Sequence, residues 1–296
     1  MKKDFNKQKN QRLAIISDFH LDSNHFSDLD YQLFNHFLEE EKVTDLHFAG
    51  DISNDFQNLT APFFQTLSEK YKVSYNLGNH DMLNLTEDEI NDKDFFIKDL
   101  GQKRIIACHG WYDYSFYEQN HSKILHFKNN FYFDRKIHRT LTDKEITDQI
   151  LWRLEDILKN EKKEILLILH FVPHSSFIIK TRYEKFSRFN AFLGSQRFHE
   201  LFIRYPQIKE VIFGHIHQRY SPQLIDGILY HAKPLGYTYE WQILQDFFLA
   251  FPELKISHSQ QIRKQYNAIK KSPEWLNFRQ ENLKKEFKLA SHFIDF

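Results

Sequence analysis

Aspartate, asparagine and histidine residues recur along the chain in spacings that could bind metal ions. Carboxylate oxygen and imidazole nitrogen together suit manganese, iron or zinc better than an all-oxygen calcium or magnesium site. An Asp-x-His pair sends two ligands from one short turn, and a His-x-His pair places two imidazoles on the same side of an extended segment. The five places are Asp18-Phe19-His20, Gly50-Asp51, Gly78-Asn79-His80-Asp81, His170 and Gly214-His215-Ile216-His217.

Each of these motifs directly follows a short apolar run of strand length. Because loops that leave the carboxyl ends of strands in an α/β sheet converge on one crevice, the motifs are expected to meet. One further run, at 104–108, carries no such motif. The predicted strands are Leu13–Ser17, Asp45–Ala49, Val73–Asn76, Arg104–Cys108, Ile165–Leu169 and Val211–Phe213.

Stretches with helical spacing separate several of these strands, which predicts a sheet covered by helices on both faces. Thr142 followed by Glu145 predicts a capping box at the start of the third helix. The predicted helices are Leu29–Glu41, Ala61–Lys70, Asp143–Lys159 and Gln196–Tyr205.

Taken singly, the motifs are weak signals. A lone Gly-Asp is usually a turn, and a lone histidine such as His170 is more often a hydrogen-bonded, partly buried residue than a ligand. The glycines before Asp51 and Asn79 allow close approaches that a side chain would block. The complete set, with each member following a strand, is hard to assign to chance.

The ordered set closely resembles the signature of the calcineurin-like metallophosphoesterase family: D-x-H, G-D, G-N-H-D/E, a lone H, and G-H-x-H. The match runs from Asp18 to His217, about two thirds of the 296 residues, and every ligand position is present. The segment from Gly110 to Ser115 also resembles a group of uncharacterised bacterial members. The resemblance implies an α/β fold, a four-layer αββα sandwich of two mixed β-sheets flanked by helices.

The resemblance also implies roles for single residues. Off the metals, His80 would stabilise or protonate the leaving oxygen, and Asp81 would orient His80; the alternative for Asp81 is an ordinary turn or cap residue. The implied ligands are Asp18, His20 and His217 for one metal, Asn79, His170 and His215 for the other, and Asp51 as the bridge between both.

Such a centre would hydrolyse a phosphomonoester or a phosphodiester. Two divalent ions, about 3.5 to 4 Å apart, would lower the pKa of a bridging water, and the resulting hydroxide would attack phosphorus in line. Manganese is the expected metal, with iron or zinc as alternatives. The sequence leaves the choice between monoester and diester open.

The chain is expected to form one domain with additions. Residues 1–255 would make up the metallophosphoesterase domain, with an aromatic and basic insertion at about 113–139 that is either a surface excursion or a substrate-facing lid. Residues 256–296 would be a C-terminal helical extension packed on the domain. The apolar positions predicted for its broken amphipathic helix are Trp275, Phe278, Leu283 and Phe287.

Charge and cysteine content narrow the function classes. Lys+Arg and Asp+Glu both total 40, so there is no broad basic field to attract nucleic acid, and a small phosphoester is the favoured substrate. A nuclease and a non-catalytic interaction scaffold of the same fold are the alternatives. The single cysteine, Cys108, and the lack of an export signal or membrane segment predict a cytoplasmic location. Oligomeric state stays open.

Several residues near predicted strand ends could contact a substrate, but packing or a solvated surface is expected for each. They are His109, Trp111, Tyr112, Arg182 and Asn190. Other histidines outside the motifs are not expected to be ligands, among them His25, His36, His47 and His126.

Overall fold

The computed structural model describes residues 11–117, 121–256 and 261–296. Its strands are β1 (Arg12–Ile16), β2 (Asp45–Ala49), β3 (Lys72–Asn76), β4 (Phe96–Leu100), β5 (Lys103–Cys108), β6 (Glu164–Leu169), β7 (Ile208–Phe213), β8 (Gln223–Ile225), β9 (Ile228–Ala232) and β10 (His292–Asp295). Its α-helices are α1 (Asp28–Glu40), α2 (Ala61–Ser68), α3 (Glu87–Lys93), α4 (His121–Phe131), α5 (Asp143–Lys159), α6 (Glu184–Ser187), α7 (Gln196–Phe202), α8 (Gln242–Ala250), α9 (Ile262–Ile269) and α10 (Pro273–Ala290).

The strands form two mixed sheets. The first has the order β10-β1-β2-β3, in which β1, β2 and β3 are parallel and β10 is antiparallel to β1. The second has the order β4-β5-β6-β7-β9-β8, with parallel central strands and antiparallel pairing at both edges. The carboxyl ends of the parallel strands therefore lie along one edge of each sheet.

Alternation along the strands shows why β1 and β6 contain unbroken apolar runs. On β1, Leu13 and Ile15 pack in the layer between the two sheets, whereas Ala14 and Ile16 face the helices outside. On β6, Leu166 and Ile168 belong to the same middle layer. Because side chains alternate between faces, a strand buried on both sides reads as a continuous apolar run.

Helices complete the outer layers. The core outside the first sheet includes residues of α1, α2, α8 and α10, such as Phe34, Phe64 and Phe247. The core outside the second sheet includes residues of α5 and α7, such as Leu154 and Phe198. The predicted four-layer αββα sandwich of two mixed sheets is confirmed.

Helix α5 begins at the capping box that its sequence predicts. The hydroxyl of Thr142 accepts a hydrogen bond from the backbone N–H of Glu145, and the Glu145 carboxylate accepts the Thr142 N–H at 2.9 Å. Two of the first backbone donors at this helix end are thereby satisfied. The helix bounds agree with the prediction.

Strands β4, β8, β9 and β10 were not predicted. Three of them lie at sheet edges, where short strands with exposed polar residues lack the apolar run that marks a central strand. The β8–β9 hairpin had a local signal, because Asp226 and Gly227 form its turn with φ values of 47° and 81°. An Asp-Gly pair is a preferred sequence for such a two-residue turn.

The C-terminal segment packs on the sandwich and also extends it. Helix α10 packs against α1 and α8, and an ion pair of 2.8 Å joins Arg279 to Asp30. Strand β10 then pairs with β1, with His292 opposite Ile15. The segment predicted as a helical extension thus also supplies a strand of the first sheet.

The aromatic and basic insertion contains α4 and a short 3-10 helix, Phe133–Lys136. Within the described ranges, the helices are all too short or too polar to cross a membrane.

Candidate metal centre

The five motifs meet at the carboxyl ends of β1, β2, β3, β6 and β7. Their carboxylate and imidazole ligand atoms form two groups, each with its atoms within 4.8 Å of one another. Asp51 belongs to both groups. The first group is Asp18, His20, Asp51 and His217, and the second is Asp51, His170 and His215.

In the first group, nitrogen and oxygen atoms face a common point. Nε2 of His20 lies 3.0 Å from Nε2 of His217, which lies 3.1 Å from Oδ1 of Asp18. The Oδ2 atom of Asp51 is 3.8 Å from Nε2 of His20. Donors bound at about 2.1 Å in tetrahedral geometry are about 3.4 Å apart, so these spacings suit a shared transition-metal ion.

The second group converges in the same way and includes the Asn79 amide. Nε2 of His170 is 3.3 Å from Oδ1 of Asp51 and 3.2 Å from Nδ1 of His215. The Asn79 Oδ1 atom lies 3.2 Å from the same His170 nitrogen. All seven predicted ligands are therefore brought together.

Hydrogen bonds on the far side of the rings set which nitrogen faces inward. Nδ1 of His170 is 3.2 Å from the carbonyl oxygen of Ala49, and Nε2 of His215 is 3.2 Å from that of Phe192. A carbonyl only accepts, so each of these nitrogens carries the proton. The inward nitrogen of each ring is left with a lone pair for a metal.

His217 is oriented by a carboxylate instead. Its Nδ1 atom lies 2.9 Å from Oε2 of Glu240, and the Tyr237 ring stacks on His20 with 4.5 Å between ring centroids. Sequence analysis missed both Glu240 and Tyr237. They follow β9 in a loop without a recognisable motif.

The backbone conformation of these loops supports their assignment to a functional site. Non-glycine residues rarely adopt positive φ, and such residues concentrate at sites that the surrounding structure holds in place. Five of the ligands have positive φ: Asp18 (57°), His20 (48°), Asp51 (57°), His215 (67°) and His217 (53°).

Two glycines permit the close packing of the ligands. A Cβ atom on Gly78 would lie 2.1 Å from Oδ1 of Asp51, and one on Gly214 would lie 2.3 Å from Oδ2 of Asp18. Real Cβ contacts are not this short, so the ligand carboxylates occupy the space that a larger residue would need. The expected close approach before Asn79 is thereby confirmed.

The donor set fits divalent metal ions. Oδ2 of Asp51 is buried and lacks a hydrogen-bond partner among the described residues, which is costly unless a cation compensates. Burial opposes ionisation of Asp18, but the hydrogen bond and charge of His217 outweigh it and lower the pKa of Asp18 to about 2. An ionised carboxylate is the form that binds a cation.

His80 lies beside the two groups, and its ring is held by a hydrogen bond at one nitrogen and by a stacked aromatic ring. Its Nε2 atom is 3.9 Å from Oδ2 of Asp51, and its Nδ1 atom is 2.8 Å from Oδ1 of Asn54. The Asn54 amide nitrogen donates to the Asp22 carboxylate, which directs the amide oxygen toward the imidazole. The Phe133 ring stacks on the His80 ring, with 4.1 Å between centroids.

The expectation that Asp81 orients His80 is wrong. Both oxygens of the Asp81 carboxylate accept backbone N–H groups of the metal-binding loops, and Asn54 takes the expected position beside His80. Burial and the nearby Asp51 raise the pKa of Asp81 to about 7, against the opposing effect of its backbone hydrogen bonds. The N–H donors to Asp81 belong to Asp51, Ile52, Ser53 and Gly78.

The insertion contributes two residues to the site that sequence analysis missed. Oδ1 of Asp134 accepts a hydrogen bond of 2.7 Å from Nδ2 of Asn79, and the neighbouring Phe133 covers His80. The bond turns the Asn79 oxygen toward His170. Among so many aromatic and charged residues, the insertion sequence alone does not distinguish Asp134.

The residues considered for substrate contact have structural roles. Trp111 and Tyr112 are buried, and the Trp111 indole donates to Asp143. Nδ1 of His109 is 2.8 Å from Asp94, and Asn190 bonds the backbone of Ile179. Arg182 lies over the ring of its neighbour Tyr183. Packing or surface roles were the expectation for each.

This fold and these two ligand groups define a metal-dependent phosphoesterase. The chain belongs to the calcineurin-like phosphoesterase family, whose sequence model matches residues 11–219. The resemblance drawn from the motifs is thereby confirmed. No curated protein matches the chain by sequence.

Several solved structures are similar to this chain at low sequence identity. Phosphopantetheinyl hydrolase from Mycobacterium tuberculosis is 17% identical, with 79% of this chain and 92% of that chain covered and a TM-score of 0.60. A dimetal phosphatase from Danio rerio is 14% identical, with 76% and 87% covered and a TM-score of 0.48. A calcineurin-like phosphoesterase from Bacillus subtilis is 12% identical, with 76% and 81% covered and a TM-score of 0.41.

Proposed function

We propose that this protein is a binuclear metal-dependent phosphoesterase that hydrolyses a small phosphomonoester or phosphodiester. The observation that carries the proposal is the position of Asp51, which belongs to both ligand groups and turns Oδ2 toward His20 of the first and Oδ1 toward His170 of the second. A carboxylate shared in this way would hold two cations close together, and such a pair would stabilise an in-line displacement at phosphorus.

The proposal gives each ligand group one divalent ion, with manganese first and iron or zinc as the alternatives. Asp18, His20 and His217 would hold one ion, and Asn79, His170 and His215 the other. When bound, the pair would supply positive charge to the phosphoryl oxygens and a water of lowered pKa. The protein's own contribution is to fix donor geometry through buried, hydrogen-bonded side chains.

His80 is proposed to bind or protonate the leaving oxygen. The hydrogen bond to Asn54 holds a proton on Nδ1, so Nε2 is the ring atom available to the substrate, and it carries a proton to donate only in the imidazolium form. The side chain is 14% exposed, which suits a residue at the edge of the site. Phe133 and Asn54 would keep the ring in place while the phosphoester binds.

Charge pairing around the site supports a small substrate over nucleic acid. Two cations of the insertion are paired: Lys128 with Asp143 at 2.6 Å and Arg139 with Glu87 at 3.2 Å. Paired cations release few counterions on binding a polyanion, so they add little affinity for nucleic acid. The formal net charge of zero also gives no overall attraction for a polyanion such as nucleic acid.

A cytoplasmic location is part of the proposal. Cys108 is the single cysteine and is buried on β5, so the chain cannot form an internal disulfide. A protein with one buried thiol suits a reducing compartment.

The test is turnover by metal-stripped protein after reconstitution with Mn²⁺. Release of p-nitrophenol is measured side by side from p-nitrophenyl phosphate and bis-p-nitrophenyl phosphate, with Asp51→Asn as the control. Metal-dependent turnover that the substitution nearly abolishes is the expected result, and the preferred ester would identify the substrate class. Two bound metals without turnover on either ester would favour the interaction scaffold, and cleavage of single-stranded DNA in preference to both would favour a nuclease.

A further inference from the structure

A second cluster of potential metal ligands lies between the two sheets. Glu210 on β7 pairs in register with Leu166, and His231 on β9 pairs with Ile212; both partners pack in the layer between the sheets. His292 on β10 is opposite Ile15, which faces the same layer from the first sheet. Register therefore points all three polar side chains into the interface between the sheets.

The three side chains converge on a common point. Oε2 of Glu210 lies 3.5 Å from Nε2 of His231 and 3.8 Å from Nε2 of His292. The three donor atoms are all within 4.8 Å of one another, and the two imidazole centroids are 4.4 Å apart. Tetrahedral donors at about 2.1 Å are about 3.4 Å apart, so small side-chain movements would complete a metal site.

His231 indicates that a partner is missing from this cluster. Only 6% of the residue is exposed, and neither ring nitrogen has a hydrogen-bond partner among the described residues. Its distance of 3.5 Å to Glu210 is longer than a normal hydrogen bond. A buried imidazole whose nearest polar contact is this long is unfavourable, and a metal ion bound to one nitrogen would compensate.

The surroundings of Glu210 are compatible with metal binding. Lys103 donates to the other carboxylate oxygen, Oε1, at 3.1 Å, and to Glu164 at 2.9 Å, so it orients the carboxylate without covering Oε2. The Glu210 side chain is 24% exposed and that of His292 13%, which leaves a route from solvent. Two imidazoles and one carboxylate are a common zinc ligand set, with water as the fourth ligand.

We propose that Glu210, His231 and His292 bind a transition-metal ion such as Zn²⁺, which ties the C-terminal strand β10 to β7 and β9 of the other sheet. The site is distinct from the binuclear centre. Glu210 precedes Gly214 by four residues along an extended segment, which corresponds to roughly 13 Å at the rise of a β-strand. This inference does not depend on the proposed hydrolytic function.

The experiment counts zinc by mass spectrometry in the full chain after stripping, reconstitution with Zn²⁺ and gel filtration. A double variant, His231→Gln with His292→Gln, is compared with the unaltered protein and with His36→Gln, which removes an exposed histidine of α1. The double variant is expected to bind one zinc fewer per chain, and His36→Gln the same number as the unaltered protein. Because the result is a difference, it does not depend on how many ions the first centre holds.

Thermal unfolding provides a second measurement. In an Asp51→Asn background, added Zn²⁺ is expected to raise the Tm, and the double substitution is expected to decrease that rise. Should the double variant fail to fold, Glu210→Gln serves in its place, because the amide oxygen still accepts from Lys103 while the anionic donor is lost. The proposal would be overturned if the double variant, or Glu210→Gln in its place, bound as much zinc as the unaltered chain. An unchanged zinc-dependent rise in Tm would overturn it as well.

Discussion

Glu240 accepts a hydrogen bond from His217, with 2.9 Å between Oε2 and Nδ1. The same oxygen accepts the backbone N–H of Tyr237 at 2.9 Å, so the carboxylate is fixed by its own loop. The bond places the imidazole proton on Nδ1 and leaves Nε2 facing Asp18. Carboxylate partners of this kind orient a metal-binding histidine and increase its basicity.

We predict that Glu240→Gln lowers the affinity of the first metal position by about 10- to 100-fold. The amide oxygen can still accept from Tyr237, so the loop should keep its conformation while the negative charge beside His217 is lost. Isothermal titration with Mn²⁺ measures the effect. Asp246→Asn is the matched control, because it changes a carboxylate of α8 that pairs with Lys285 of α10. Equal affinities for the two variants would contradict the role of Glu240.

Asp134→Ala is predicted to weaken the second metal position. Loss of the 2.7 Å hydrogen bond frees the Asn79 amide to rotate, and its NH₂ group cannot bind a cation. We expect a decrease of about 10- to 100-fold in metal affinity, measured as metal retained per chain across a chelator titration. Asp134→Asn keeps an acceptor oxygen and should retain most of the binding; a similar loss in both variants would indicate a general disruption of the insertion.

His80→Ala should leave metal content unchanged and slow hydrolysis most for esters with poor leaving groups. Loss of a positioned proton donor costs about 10²- to 10⁴-fold when the leaving oxygen needs protonation. A series of aryl phosphates of increasing phenol pKa measures the dependence. An equal slowing for every leaving group would count against proton donation.

Asn54→Ala tests the orientation of His80. The substitution removes the acceptor 2.8 Å from Nδ1, so we expect a smaller loss with the same dependence on the leaving group. Because Asn54 acts only through the His80 ring, the double variant with His80→Ala should be no slower than His80→Ala alone. Multiplicative losses in the double variant would show that Asn54 acts independently.

Gly78→Ala is predicted to abolish binding of at least one metal. The added Cβ would lie 2.1 Å from Oδ1 and 2.4 Å from the backbone nitrogen of Asp51, so the shared ligand must move. Metal content by mass spectrometry measures the loss. Gly101→Ala, where no atom lies within 4 Å of the added Cβ, is the control and should keep its metals despite some strain from its φ of +59°.

His47 should make stability depend on pH through its burial. Its ring bonds Ser74 and Asn76 inside the first sheet, and burial lowers the pKa of His47 to about 4 from an ordinary 6.5. As pH falls below 6.5 the unfolded chain therefore gains a proton that the folded chain does not, and stability decreases until about pH 4. Between pH 7 and pH 5 this amounts to about 2 kcal/mol.

The matched measurement compares urea unfolding of the unaltered protein and His47→Gln at pH 7 and pH 5. The variant lacks this proton uptake, so its free energy of unfolding should fall by about 2 kcal/mol less over the interval. Both chains share every other titrating group, which isolates the contribution of His47. Equal decreases would show that the histidine is not held neutral.

The sequence by itself determined the strands that precede the motifs and the convergence of the motifs. Strands such as β1 and β6 are buried on both faces, so their apolar runs are visible without any tertiary information. Motifs that follow neighbouring parallel strands must leave at the same sheet edge, which is why Asp18 after β1 and Asp51 after β2 could be expected to meet. The capping box of α5 is also formed by residues close together in sequence, Thr142 and Glu145.

Tertiary structure alone decided which residues surround the ligands. Glu240 contacts His217 across 23 positions and Asp134 contacts Asn79 across 55, and a loop carboxylate has the same local sequence whether it binds a ligand or water. Asp81 stands next to His80 in sequence, yet its carboxylate turns to the backbone N–H groups of another loop. Edge strand β10, with His292, is recognisable only when β1 lies beside it. The local sequence pattern reflects burial and backbone preference. Contacts between residues distant in sequence are decided only when the chain folds and brings those residues together.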